Sequence, residues 1–135
     1  MTLAEEKQVQ RKAGIAARRA LAPETRAAAN ATLCARLAAL PCFRQARTIL
    51  LYAAFGGEAD LGLGKTLAYP VCGENFSLTA AVPGEDGWEA GAYGIRTPIL
   101  SRAEILPPEA LDLILVPCTA FDAACGRVGM GKGYY

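Results

Sequence analysis

The chain has 135 residues, of which 53% are hydrophobic and 20% charged, with 14 basic and 13 acidic side chains and a formal net charge of +1. This much apolar surface excludes intrinsic disorder and is enough for one hydrophobic core, so we predict a single domain over residues 1–135. A net charge near zero provides no broad field for binding nucleic acid or an anionic membrane, and we expect neither as a partner.

Two residue types restrict the chemistry. The chain contains no histidine, which excludes a Ser/His or Cys/His nucleophile pair and the commonest general base. The five cysteines are odd in number and form no Cys-x-x-Cys, so they fit neither a disulfide framework nor a zinc site. No apolar run is long enough to span a bilayer, and the polar start MTLAEEKQVQRK is unlike a signal peptide. We therefore expect a cytoplasmic protein.

The chain opens with two predicted helices. Residues 4–20 carry an apolar stripe at helical spacing, with Lys7 and Arg11 on an adjoining face. Pro23 suits the first turn of a second helix, and Pro41 is expected to end it. Cations four residues apart usually mark a solvated helix face, so by themselves Lys7 and Arg11 do not indicate a site.

Beyond residue 47 the pattern changes to one of strands. TILLYAAF at 48–55 is an apolar run closed by two glycines, typical of a strand buried on both faces. Further strand candidates are TLAYPVC at 66–72, FSLTAAV at 76–82 and LDLILVPC at 111–118, the last being the clearest, while residues 83–94 are predicted to be mostly turn. Helices mixed with buried strands predict an α/β fold, with a layered sheet flanked by helices and opened by the helical pair.

The connection between the first two strand candidates is short. In EADLGLGKTLAYP only about four residues separate the two strand regions, whereas parallel neighbours need a crossover of about a dozen. Either these two strands are antiparallel, or a segment is missing.

The final segment, GRVGMGKGYY at 126–135, carries the most specific pattern. It nearly satisfies G-x-x-x-x-G-K-[ST], in which backbone amides cradle phosphates and a lysine reaches the terminal ones. Gly133 has no hydroxyl to offer Mg²⁺, and the segment does not follow its strand directly, so an ordinary P-loop NTPase is not expected. Glycines beside Arg127 and Lys132 still favour a phosphate site; the alternative is a solvent-exposed glycine-rich turn.

Four segments occur along the chain in a recognisable order: Lys7-x-x-x-Arg11, YAAFGGEADL at 52–61, GAYGIRTP at 91–98, and DLILVPCTAFDAACGRVGMGKGYY at 112–135. Together they resemble the 5-formyltetrahydrofolate cyclo-ligase family, also called methenyltetrahydrofolate synthetase. The resemblance implies an enzyme that uses ATP and Mg²⁺ to convert 5-formyltetrahydrofolate into 5,10-methenyltetrahydrofolate, releasing ADP and phosphate through a phosphorylated formyl intermediate. It also implies a NagB/RpiA/CoA transferase-like fold, and we expect a monomer whose partners are the folate and ATP.

The resemblance also implies roles for particular residues. Lys7 and Arg11 would bind ATP phosphates from the first helix. A continuous terminal segment would surround the nucleotide and the reacting formyl group: Arg127, Val128, Gly129, Met130, Gly131, Lys132, Gly133, Tyr134 and Tyr135. Ala53, Glu58 and Tyr93 would contact the folate together with residues 130–134. The catalytic groups would be Arg127, Lys132 and Glu58.

The chain departs from the family pattern in three ways. Met130 stands where the family commonly has a cation or glycine, so one phosphate contact is expected to be lost. The family continues after the paired tyrosines with an Asp that helps to bind Mg²⁺, so we expect no metal ligand within residues 1–135. The family also has a helix between the positions matching Asp60 and Lys65, where only LGLG remains.

Two interpretations of these gaps stay open. The chain either joins pieces of a longer polypeptide or is a fragment of one. If it is complete, the rival function is a non-catalytic nucleotide- or folate-binding module that has lost its metal site.

Overall fold

The computed structural model describes residues 1–52, 64–91, 95–131 and 133–135. Its helices are α1 (Leu3–Arg19), α2 (Pro23–Ala39) and α3 (Pro41–Gln45). Its strands are β1 (Thr48–Leu50), β2 (Thr66–Cys72), β3 (Leu78–Pro83), β4 (Trp88–Ala90), β5 (Arg96–Pro98), β6 (Ala103–Leu106), β7 (Leu113–Ile114), β8 (Ala120–Phe121) and β9 (Arg127–Val128). Short 3₁₀ turns lie at Glu74–Phe76, Leu100–Arg102 and Pro108–Ala110. Among these described residues, no helix is both long and apolar enough to cross a bilayer.

Two units divide the chain. Unit 1 comprises residues 1–35 and 117–133, and it contains α1, most of α2, and the hairpin of β8 and β9. Unit 2 comprises residues 36–116 and 134–135, and it contains the end of α2, α3 and the remaining strands. The single domain expected over residues 1–135 stays a prediction.

Local signals set the bounds of the first two helices. α1 begins after Thr2, whose hydroxyl accepts from the backbone N–H of Glu5 at 3.2 Å, while the Glu5 carboxylate accepts from the Thr2 N–H at 2.6 Å. This capping box satisfies two amide donors at the helix start, and the hydrogen bonds with Thr2 lower the pKa of Glu5. Pro23 stands at the first position of α2. Both predicted helices are confirmed, and Pro41 not only follows α2 but begins α3.

A five-stranded mixed sheet forms the centre of unit 2, in the order β6-β3-β2-β1-β7. β1 pairs parallel with β2, where Thr48 lies opposite Thr66, and parallel with β7, where Ile49 lies opposite Leu113. β3 pairs antiparallel with both β2 and β6. The predicted α/β class is therefore confirmed. Because β1, β2 and β7 are parallel, their carboxyl ends share one edge of the sheet.

Strand β1, which lies between β2 and β7, is buried on both of its faces. Ile49 and Leu51 pack into one apolar cluster with the end of α2 and with α3, while Leu50 packs on the opposite face against Ala68. Ile49 is 0% exposed, and burying an aliphatic side chain of this size contributes about 1.5–3 kcal/mol. The prediction of a doubly buried strand is confirmed for this segment, although the ladder ends at Leu50; residues 53–55 lie outside the described residues.

The two strands predicted next are confirmed with small shifts. β2 has the predicted bounds of 66–72. The strand predicted over 76–82 is displaced to 78–83, because Phe76 belongs to a turn instead.

Two other predictions are wrong in extent. Within the range 83–94, predicted to be mostly turn, residues 84–87 do form a turn, but Trp88–Ala90 form β4 and pair antiparallel with β5; residues 92–94 lie outside the described residues. The Trp88 ring packs edge-on against Tyr69 with ring centroids 4.7 Å apart, which fixes this short hairpin to β2. LDLILVPC at 111–118 contributes only Leu113–Ile114 as a strand. Among the described strands, β7 lies at the edge of the sheet beside β1, which is itself three residues long, and this limits the pairing.

The antiparallel alternative for the first two strands is wrong, since β1 and β2 are parallel. β1 ends at residue 50 rather than 55, so the connection from 51 to 65 is fifteen residues long. That length suffices for a parallel crossover. Most of the connection, residues 53–63, lies outside the described residues, and a missing segment stays a prediction.

A lysine closes the end of α3. Lys65 Nζ donates to the carbonyl oxygens of Phe43 at 2.8 Å, Ala46 at 2.6 Å and Arg44 at 3.3 Å. It also lies 5.0 Å from the centroid of the Phe43 ring. Carbonyls at a helix end have no partner within the helix, so a cation placed there satisfies them.

An aspartate joins the starts of two neighbouring strands. Asp112, directly before β7, accepts from the backbone N–H of Arg47 at 2.9 Å and of Thr48 at 3.0 Å. The hydrogen bond from Thr48, followed by that from Arg47, lowers the pKa of this carboxyl. The ionised form of Asp112 therefore stabilises the contact between β1 and β7.

Candidate functional site

The terminal glycine-rich segment of unit 1 is presented by a closed hairpin. β8 and β9 pair antiparallel, with Ala120 opposite Val128 and Phe121 opposite Arg127. At the tip, Asp122 Oδ1 accepts from the backbone N–H groups of Ala124 and Gly126, both at 2.9 Å. Carboxylate bonds of this kind mimic a backbone turn and reduce its freedom. The hairpin thus enters the glycine-rich segment from a defined turn.

The base of the hairpin is tied by Thr119 and Arg127. The backbone N–H and the hydroxyl of Thr119 both donate to the Val128 carbonyl, at 2.7 and 2.9 Å. Arg127 Nη2 donates to the Pro117 carbonyl at 2.6 Å, while the side chain as a whole stays exposed. A Cβ at Gly129 would lie 2.8 Å from the same nitrogen, so only glycine admits this position of the guanidinium.

Arg11 of α1 contacts the glycine-rich segment directly. Its Nε donates to the Gly129 carbonyl at 2.7 Å, and Nη1 donates to Gln8 Oε1. Gly131 adopts φ +93°, and a Cβ there would lie 3.2 Å from the Arg11 Cζ. A half-buried cation therefore lies against the segment's backbone. Lys7, one helical turn earlier, is exposed and makes no hydrogen bond or ion pair with another described residue.

The backbones of α1 and the hairpin approach closely at Gly14. A Cβ at this position would lie 2.0 Å from the Thr119 carbonyl oxygen and 3.0 Å from its carbon. Only glycine lets the helix come this near. Gly14, Thr119 and Asp122 were not predicted as site residues; the one local signal was an isolated glycine inside an alanine-rich helix.

The remaining residues of the predicted nucleotide segment differ in their surroundings. Gly133 adopts φ +71°, which favours glycine, and Met130 is 67% exposed. Val128 is half-buried in the hairpin. Lys132 lies outside the described residues. Unit 1 thus brings Arg11, Arg127 and a glycine backbone together, so two donor types suited to an anion, guanidinium and backbone amide, meet there.

The predicted folate contacts are described only in part. Ala53, Glu58 and Tyr93 lie outside the described residues. Within unit 2, the Tyr134 ring lies 5.9 Å from the Phe76 ring, centroid to centroid, at an interplanar angle of 59°. Tyr135 is 47% exposed. The sequence analysis did not select Phe76, because it was assigned to a strand.

The described residues do not fit a resident Mg²⁺ site. In the described part of the chain, no group of three His, Cys, Asp or Glu side chains is placed to hold a metal ion. Mg²⁺ in nucleotide sites is usually held by one or two carboxylates together with waters and substrate phosphates. No chemical step is therefore assigned to a metal held by these residues.

Relatives of known identity match most of this chain. The chain is 30% identical over 103 residues to the 5-formyltetrahydrofolate cyclo-ligase of Haemophilus influenzae, a match covering 68% of this chain and 55% of the relative. It is 29% identical over 130 residues to the cyclo-ligase of Escherichia coli K12, covering 87% of this chain and 71% of that protein. The chain thus spans little more than half the length of the first of these relatives.

Solved structures share the fold. The NMR structure of Aquifex aeolicus 5,10-methenyltetrahydrofolate synthetase superposes with a TM-score of 0.80 at 29% identity, over 96% of this chain and 69% of that one. The structure of the synthetase from Mycoplasma pneumoniae superposes with a TM-score of 0.69 at 20% identity, over 96% of this chain and 74% of that one. The mixed α/β architecture therefore matches that of known synthetases, while the likeness to the NagB/RpiA/CoA transferase fold stays a prediction.

The family resemblance inferred from four segments is tested by one further comparison. The sequence model of the 5-formyltetrahydrofolate cyclo-ligase family matches residues 3–135, nearly the whole chain. The resemblance is therefore confirmed over the helical pair, the sheet and the terminal hairpin alike. The chain belongs to the 5-formyltetrahydrofolate cyclo-ligase family.

Proposed function

We propose that this protein is an ATP-dependent ligase that converts 5-formyltetrahydrofolate into 5,10-methenyltetrahydrofolate. The observation that carries the proposal is the hydrogen bond from Arg11 to the Gly129 carbonyl. It brings a cation of the first helix to the glycine-rich segment, in a chain whose family consists of ligases of this name. The two ends of the sequence pattern thus meet in one unit.

The contacts of unit 1 support binding of the ATP phosphates there. Arg11 keeps guanidinium donors beyond the one used on Gly129, and Arg127 is exposed apart from its bond to Pro117. Gly131 and Gly133 have positive φ values, which allow the backbone to approach an anion closely. Lys7 extends the positive surface by one helical turn. Charge-assisted hydrogen bonds of this kind are about twice as strong as neutral ones.

In the proposed reaction, the formyl oxygen attacks the γ-phosphorus of ATP, and ADP leaves with the electron pair of the broken P–O bond. The other folate nitrogen then attacks the activated formyl carbon. Loss of its proton and departure of phosphate, which carries away the former formyl oxygen, complete the ring. No protein nucleophile or histidine is needed. The protein's contribution is to position both substrates and to stabilise the migrating negative charge. Arg127 and Lys132 are the proposed groups for the charge, and Glu58 is the proposed catalytic group on the folate side.

Three expectations accompany this proposal as predictions. Mg²⁺ is expected to take part with ATP, as the family resemblance implies, although no step is assigned to it through the described residues. The protein is expected to act as a cytoplasmic monomer. We expect it to bind neither nucleic acid nor a membrane, its partners being the folate and ATP.

The test is an activity assay on the purified protein. ATP should be consumed only when 5-formyltetrahydrofolate and Mg²⁺ are both present, and the methenyl product should appear as near-ultraviolet absorbance. Folate-independent ATP hydrolysis at a comparable rate, without methenyl product, would indicate an unrelated ATPase. Binding of ATP or folate with no turnover would favour the non-catalytic module instead.

A further inference from the structure

An unusual turn joins β2 to β3 in unit 2. Cys72 pairs with Leu78, and between them the Gly73 N–H donates to the Ser77 carbonyl at 2.9 Å. Two consecutive residues of this turn, Asn75 and Phe76, have φ values of 55° and 58°. Asparagine tolerates this left-handed region, but for a bulky aromatic residue it is rare, so Phe76 is the unusual one of the two. Strained backbone of this kind occurs most often at functional sites and ligand clamps.

The turn presents a large apolar side chain to solvent. Phe76 is 62% exposed and belongs to neither apolar cluster of the core. Its ring contacts Tyr134, with centroids 5.9 Å apart and a tilt of 59°. The two rings are tilted within contact distance, and the exposure of Phe76 shows that much of its ring stays open. Burial in the core therefore does not account for this turn, because the side chain that it positions stays largely exposed.

The position of the turn in the sheet also indicates a ligand. It follows the carboxyl end of β2, and β1 is parallel to β2 and ends at the same edge. In α/β sheets, ligands bind beyond the carboxyl ends of the parallel strands.

We propose that Phe76, supported by Tyr134, forms an aromatic surface that stacks on a flat heteroaromatic ring of a substrate. The inference rests on the proposed function, which supplies two such rings: the pteridine of the folate and the adenine of ATP. Both have extended π-faces of the size of an aromatic side chain. The strained turn fixes the Phe76 backbone before the ligand arrives, so less freedom is lost on binding.

The experiment compares Phe76→Ala and Phe76→Leu with wild type and with the control Ile105→Ala. Ile105 is an apolar side chain on β6 of the same sheet and is 56% exposed. Dissociation constants of 5-formyltetrahydrofolate and of ATP are measured separately by calorimetry, and KM values are measured by the methenyl assay. Leu keeps the apolar character and removes the ring, so it tests stacking even if Ala perturbs the turn.

We expect both Phe76 variants to weaken the binding of one of the two substrates by about tenfold, as for the loss of one stacked ring. The affinity for the other substrate should be unchanged. A selective effect on the folate identifies pteridine, and a selective effect on ATP identifies adenine. Phe76→Trp should retain wild-type affinity. Unchanged affinity for both substrates, or an equal loss for both, would overturn the proposal. The binding measurement needs no turnover, so it decides the stacking inference even if the wild-type protein is inactive. Such inactivity would contradict the proposed function alone.

Discussion

The replacement Gly14→Ala tests whether α1 and the terminal hairpin must touch. The added Cβ would lie 2.0 Å from the Thr119 carbonyl oxygen, about 1.4 Å short of the 3.4 Å at which ordinary contact begins. The clash would be between the Cβ, which the backbone of α1 fixes, and a backbone carbonyl of the hairpin, so no change of side-chain rotamer can relieve it. Either the helix or the hairpin must move, and the Arg11 bond to Gly129 lies one helical turn away.

One stabilising and two destabilising contributions decide the change in the free energy of unfolding. Alanine is a better helix former than glycine by about 1 kcal/mol. Overpacking at a rigid contact costs about 1–3 kcal/mol, and weakening a hydrogen bond from a charged donor costs roughly 1.5–3 kcal/mol. We therefore expect a net loss of about 1.5–5 kcal/mol in the free energy of unfolding and a fall of several degrees or more in Tm. If the Arg11 contact holds the phosphate-binding segment, ATP affinity should also fall roughly tenfold.

The assay is thermal unfolding combined with ATP-binding calorimetry. The control is Ala17→Gly, since Ala17 is an exposed residue of the same helix. It should lose about 1 kcal/mol through helix propensity alone, with no change in ATP affinity. If Gly14→Ala proved more stable than wild type and bound ATP equally well, the close approach of the two backbones would be refuted.

Four further variants test the site and the fold. Lys7→Ala should raise KM for ATP and leave Tm unchanged, since exposed charges contribute little to stability; a lower Tm with unchanged ATP kinetics would support a merely solvated face. Arg11→Lys keeps the charge but loses the planar guanidinium, whose several N–H groups can donate to the Gly129 carbonyl and to a phosphate at the same time. ATP affinity should therefore fall. Lys132→Ala should lower kcat roughly a hundredfold or more if one charge contact of about 3 kcal/mol to the migrating phosphoryl group is lost; near-normal turnover would argue against catalysis by this segment. Asp112 has a folded pKa below its unfolded value, so its contribution to stability is present above the unfolded pKa and is lost as pH falls through the folded pKa. Asp112→Asn should therefore lower Tm at pH 7 and flatten its decline in acid, as measured by thermal unfolding between pH 7 and pH 2.

Elements with local signals were predictable from the sequence. The bounds of α1 follow from its apolar stripe and its capping residues, and those of α2 from Pro23. β2 is flanked by glycines and has a strand-forming composition, so its bounds were also correct. Each of these signals lies within the element itself, where propensity and pattern act.

Features that depend on distant partners were not predictable. β4 forms because Trp88 packs on Tyr69 of another strand, and β7 is short because its only neighbour within the described sheet is short. Gly14 looked like an isolated helix glycine, since its partner Thr119 lies near the other end of the chain. The nearness of Arg11 to the glycine-rich segment was expected from the family resemblance alone, because a helix face with two cations has no distinctive pattern of its own.

The lysine that closes α3 has a consequence for chain length. Lys65 is held by three carbonyls of the α3 end, and the next residue, Thr66, donates its N–H to the Arg47 carbonyl at 2.7 Å. These bonds anchor the start of β2 independently of whatever number of residues precedes it. Insertions or deletions between residues 53 and 63 should therefore leave the register of β2 against β1 intact. A lineage could shorten or rebuild that connection, as LGLG suggests here, without refolding the sheet behind it.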